Sequence, residues 1–117
     1  MIEIPDINTE AGLCLYENDV EVYKSILGSF ISNIPAVLDK IRNVSSETLQ
    51  EYKINIHALR GICESICAEE ITDAAAKLEV MAKRGDWNGI LAGNGELLKK
   101  TDILVDNIRN WVEKNSC

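Results

Sequence analysis

The sequence predicts an all-α protein: an antiparallel up-and-down four-helix bundle with a short extra N-terminal helix, in one domain over residues 1–117. Three observations carry this. Apolar residues recur at spacings of three and four over long stretches, no stretch alternates as a half-buried strand would, and only two prolines interrupt the chain. Four such stretches are separated by short connections, which makes neighbouring helices antiparallel. At 117 residues the chain can bury a single core without staples. With one Phe, two Trp and three Tyr, that core must be mostly Ile, Leu, Val and Ala.

Residues 1–8 begin extended, because Pro5 and Asn8 discourage a helix. Thr9 caps a short helix over Glu10 to Tyr16, in which Leu13 and Tyr16 cover one end of the bundle. Glu17-Asn18-Asp19 is a turn, with Asn18 as N-cap of the next helix. That helix spans 19–44, its apolar positions running from Val20, Tyr23 and Leu27 through Phe30, Ile31, Ile34, Leu38 and Ile41 to Val44. Pro35 lies inside it, so a kink or short break is expected near Asn33 and Ile34. Ser45-Ser46-Glu47 ends this helix and caps the next, 47–66. Here Leu49, Tyr52, Ile56, Leu59, Cys63 and Ile66 form one inward stripe.

A third long helix, 69–84, starts at Ala68 or Glu69 and turns Ile71, Ala74, Ala75, Leu78, Met81 and Ala82 inward. Ala74-Ala75-Ala76 permits close contact, Met81 fills core space and Gly85 is the C′ residue. Asp86 caps the last helix, 87–114, whose apolar set includes Trp87, Ile90, Leu91, Leu97, Leu98, Leu104, Val105, Ile108, Trp111 and Val112. Gly93 and Gly95 together weaken its interior by about 2 kcal/mol, so they serve close packing or a bend. Asn94 falls on the inward side and needs hydrogen-bond partners. Lys99-Lys100 is a solvated face, and Glu113 to Cys117 a frayed end.

Net charge is −7 and the pI about 4.7, which disfavours nucleic acid and acidic lipid surfaces as ligands. No apolar run is long enough to span a bilayer. Cys14, Cys63, Cys67 and Cys117 do not look like a disulfide framework, and with no signal peptide the expected compartment is the reducing cytosol. Cys63 and Cys67 sit four apart on one helix, but no second Cys or His pair follows at metal-site spacing, so no metal is expected on this chain.

His57 is the only histidine. At about 100° per residue it lies roughly 130° from the centre of its helix's apolar stripe, hence on the solvent side. Arg60 and Lys53 flank it at i+3 and i−4, Gly61 sits one turn on, and Ile54 and Ala58 share the outward half. An exposed imidazole with cations beside it suits a surface nucleophile, because oxyanions gain from fixed positive donors. A glycine one turn away lets a second backbone come close.

His57-Ala58-Leu59-Arg60-Gly61, then Cys67-Ala68-Glu69-Glu70-Ile71 and Leu78-Glu79, resemble the signature of histidine-containing phosphotransfer domains. In that family the pattern is His-x-Leu-Lys-Gly, a Gly-Ala pair ten and eleven residues after the histidine, and Leu-Glu about ten further on. The similarity extends to Ala11-Gly12-Leu13, to Leu27, Phe30 and Pro35, and to Gly85-Asp86, so it covers nearly the whole chain. Three positions depart from it. Arg60 stands where lysine is usual, exchanging a compact ammonium for a planar fork. Cys63 replaces a serine or other small residue. Cys67 replaces the glycine of the Gly-Ala pair, so a close approach or helix end must tolerate a side chain there.

The resemblance implies a phosphocarrier in a multistep two-component relay. His57 would accept and donate the phosphoryl group, with Arg60 and Lys53 as electrostatic support and Gly61 as clearance for the partner. Ile54, Ala58 and Glu64 would be docking contacts, and exposed residues of the first long helix would add to them. The implied partners are receiver domains of response regulators or of a hybrid histidine kinase, which bring their own Mg²⁺; the chain is expected to be a monomer. No glycine-rich nucleotide loop is visible, so ATP is not an expected substrate. The alternative is a helical interaction module that binds a receiver or another signalling protein without phosphorylation. A metal or oxygen-carrying bundle would need several inward His or Glu ligands, and a histidine-kinase dimerisation domain would need two chains to complete four helices.

Overall fold

The computed structural model describes residues 3–115, the side chain of Ser46 excepted; most of these residues are helical and no strand occurs among them. In order come α1 (Thr9–Leu15), α2 (Val20–Arg42), a 3₁₀ turn (Ser46–Thr48), α3 (Leu49–Glu64), α4 (Glu69–Arg84) and α5 (Trp87–Asn115). Helix α2 packs on α3 and α5, and α4 packs on the same two, an arrangement compatible with a bundle; α1 packs on α2. The shape is elongated, 45 × 22 × 19 Å.

Three helix starts differ from the sequence expectation by one or two residues. Asn8, not Thr9, caps α1: its Oδ1 accepts from the Ala11 N–H at 3.1 Å. Asp19, not Asn18, caps α2, accepting from Glu21 and Val22 at 3.1 and 3.2 Å. Asn18 cannot, because it and Glu17 occupy the left-handed region (φ 60° and 56°) that makes the turn. Before α3, Ser45 and Thr48 close a reciprocal cap on the 3₁₀ turn, so the α-helix begins at Leu49 and not at 47. Helix α2 runs unbroken through Pro35, which lies on its exposed side. Gly85 (φ 69°) ends α4 as expected, with Asp86 N–H reaching back to Met81 O at 2.8 Å. Asp86 then caps α5 through Gly89 N–H at 3.0 Å. The frayed end expected from Glu113 is helical to Asn115, and Cys117 lies outside the described residues.

The core is mostly aliphatic, as composition requires, with Leu27, Ile34, Ile56, Leu59, Ile90 and Leu104 fully buried and Tyr23, Phe30 and Tyr52 as its aromatic members. All of the inward stripe predicted for helix 47–66 is buried except Leu49, which is half-buried, but its last member, Ile66, lies in the turn after α3, which ends at Glu64. Val20 and Leu91, expected inward, are exposed. Gly93 serves close packing, since a Cβ there would fall 3.1 Å from Leu78 Cδ2, whereas nothing in the packing explains Gly95. Asn94 finds its partners on two other helices: Tyr52 Oη donates to its Oδ1 at 2.8 Å, and its Nδ2 donates to Ile41 O at 2.9 Å. Thr101, also buried, donates to Leu97 O at 2.7 Å within α5.

Candidate functional site

Helix α3 turns its stripe inward and thereby carries His57 out; the side chain is 62% exposed. Across the α3–α4 contact stands Glu79, whose side chain is only 6% exposed. His57 Nδ1 lies 2.9 Å from Glu79 Oε2. Lys83, one turn further along α4, places Nζ 3.3 Å from the same oxygen. Arg60 Nε approaches Oε1 to 3.1 Å, yet both atoms are buried without a hydrogen bond, so the two meet as charges with the N–H aimed off the oxygen. Three basic side chains thus cover one carboxylate at the surface.

That carboxylate decides the state of the ring. Burial pushes the Glu79 pKa up, but hydrogen bonds from His57 and Lys83 and the charge of Arg60 outweigh it, so the group titrates below the ordinary glutamate range. An ionised carboxylate only accepts, so Nδ1 must carry a proton. Arg60 Nη2, 3.4 Å from Nδ1, is also only a donor and cannot share a hydrogen bond with a protonated nitrogen. In the neutral imidazole the lone pair is therefore on Nε2, on the exposed side chain.

The other expected site residues fall as follows. Gly61 is exposed, and a Cβ added to it would meet nothing within 4 Å. Ile54 is 68% exposed, and Ala58 and Glu64 are exposed on the same helix. Lys53 is half-buried, with no hydrogen-bond or ion-pair partner among the described residues, and unlike Arg60 it is not brought onto the His57–Glu79 pair. Beside Ile54 a depression of about 370 Å³ is lined by Lys40, Glu51, Ile54 and Asn55. A second, of about 340 Å³, includes Ile26, Phe30, Asn33 and Ile62 in its lining. Both lie where α2 meets α3.

Sequence reasoning gave Glu79 and Lys83 no role. The signal was present: Glu79 shares the apolar face of α4 with Ala75 at i−4 and Ala82 at i+3, and an acid on an inward stripe requires partners. Cys63 is buried, and burial pushes its thiol up to about 12. Cys67 takes φ 60°, the left-handed conformation that favours glycine.

Among the described residues no group of three or more His, Cys, Asp or Glu could hold a metal ion, and no helix is long and apolar enough to cross a membrane. Neither a family model, nor a curated protein, nor a solved structure matches the chain.

Proposed function

We propose that this protein is a histidine phosphocarrier that exchanges a phosphoryl group with receiver-domain aspartates through His57 in a two-component relay. The observation that carries the reading is the ion-paired Glu79 on Nδ1, which leaves Nε2 as the available nucleophile of an exposed imidazole. The Nε2 lone pair attacks the phosphorus of an aspartyl phosphate. The N–P bond forms as the P–O bond to the aspartate breaks, and the carboxylate leaves with the electron pair. The Nδ1 proton stays between His57 and Glu79, so no proton has to move. The reverse step returns the group to a second aspartate.

Arg60 supports the transferred group: its guanidinium lies beside the ring, with Nη2 3.4 Å from Nδ1. Gly61 gives clearance, and Ile54, Ala58 and Glu64 with the α2–α3 depressions form the docking face. Mg²⁺ comes with the receiver, and the carrier works as a cytoplasmic monomer. The antiparallel up-and-down order belongs to the same proposal, supported by the short connections 65–68 and 85–86.

The test is phosphoryl transfer from a panel of phosphorylated receiver domains to the wild type and to His57→Gln. An acid-labile, base-stable phosphate on the wild type alone supports the carrier. Binding of a receiver without any transfer sinks it and favours the silent interaction module.

A further inference from the structure

The two joints of α4 are built differently. At its far end Gly85 adopts the left-handed cap conformation without strain. At its near end the same cap is made around a cysteine: Cys67 N–H bonds to Glu64 O at 3.1 Å and Ala68 N–H to Cys63 O at 3.1 Å, with Cys67 at φ 60°. A non-glycine residue there is sterically penalised, because its Cβ crowds the following carbonyl oxygen. The left-handed cap is not favoured by the residue that makes it.

Donors from elsewhere hold this joint. Tyr16 Oη donates to Ser65 O at 2.7 Å, Tyr23 Oη to Ile66 O at 3.1 Å, and the Asn8 N–H to Cys67 O at 3.0 Å. Three consecutive carbonyls are each gripped from outside the joint. Asn8 Nδ2 adds a bond to Glu69 Oε1, on the first residue of α4, at 3.1 Å. Gly12 makes the grip possible, since a Cβ there would sit 2.6 Å from Tyr23 Oη and displace the hydroxyl.

We propose that the N-terminal segment from Asn8 to Tyr16, with Tyr23, is a positioning device that holds the α3–α4 joint and thereby the His57–Glu79 register. His57 lies eight residues before Ser65 and Glu79 ten after Glu69, about 12 and 15 Å along two stiff helices. A slide of about 1 Å at the joint carries a 2.9 Å contact out of hydrogen-bond range. The proposal deepens the phosphocarrier reading, but its first readout does not depend on it.

The experiment compares the full chain with Asn8→Ala/Tyr16→Phe, and with Tyr16→Phe alone in case the double variant does not fold. Tyr16→Phe removes one hydrogen bond onto the joint and the double variant two, together with the Asn8 cap on Ala11, which should speed amide exchange at Cys67 and Ala68 by about 5- to 30-fold. The His57 ring ¹⁵N shifts should move from an Nδ1–H tautomer toward the mixture of a free imidazole, and Cys67→Gly added to either variant should restore both. Faster exchange with unchanged ring shifts overturns the proposal, as does unchanged exchange in Tyr16→Phe. Failure of the phosphocarrier reading would appear separately, as no transfer to the wild type.

Discussion

Glu79 reaches across 22 residues of sequence to place Oε2 2.9 Å from His57 Nδ1, and this one contact selects which ring nitrogen carries the proton and which keeps its lone pair. Glu79→Ala removes both the acceptor and its charge, while Glu79→Gln keeps an acceptor and loses the charge. A charge-assisted hydrogen bond is worth about 1.5–3 kcal/mol, so under the proposed carrier role phosphoryl acceptance by the alanine variant should fall about 10- to 100-fold. The glutamine variant should fall less. Equal rates for all three proteins in single-turnover transfer would remove Glu79 from the mechanism.

The same carboxylate predicts an acid sensitivity. Its folded-state pKa lies below the ordinary value of 4.5, so its stabilising effect is present above that value and is lost as pH falls through the folded pKa. Urea midpoints measured from pH 6 to pH 3 should drop more steeply for the wild type than for Glu79→Gln. Parallel curves would mean that the carboxylate is not stabilised by its three partners.

Tyr52→Phe leaves Asn94 Oδ1 without its donor in a buried site. The expected destabilisation is about 1–3 kcal/mol, read as a lower urea midpoint with unchanged slope. A neutral result would mean that water reaches Asn94.

Cys63 should be inert in the folded protein. Burial raises its thiol pKa from 9.0 to about 12, whereas Cys14 is exposed. A disulfide reagent at pH 8 should modify Cys14 rapidly and Cys63 only on unfolding. Because the folded pKa is the higher one, the Cys63 contribution to stability holds below pH 9 and is lost as pH rises toward 12. Cys63→Ala should flatten that alkaline loss, and an identical alkaline profile would assign it to other groups.

Several elements were legible because their causes are local. Spacings of three and four gave the four long helices and the α3 stripe, and the same angles placed His57 outside. Gly85 and Asp86 marked the α4–α5 joint because only their own backbone and side chain are needed there. The caps of α1 and α2 were each misplaced by one residue, since Asn8 and Thr9, or Asn18 and Asp19, are both competent caps and the turn geometry chooses between them. The apolar pattern of α5 is broad enough to include Leu91, which is exposed.

What the amino-acid order determined by itself is the helical class, the inward faces and an outward imidazole with cations nearby, all consequences of short-range sterics and periodicity. Only the tertiary structure decided that Glu79 meets Nδ1, that Asn94 ties α5 to Tyr52 and Ile41, and that Asn8, Tyr16 and Tyr23 converge on the carbonyls around Cys67. Each of these joins groups on different helices. Hydrogen bonds of about 3 Å depend on how rigid helices pack, a relation that no local pattern encodes.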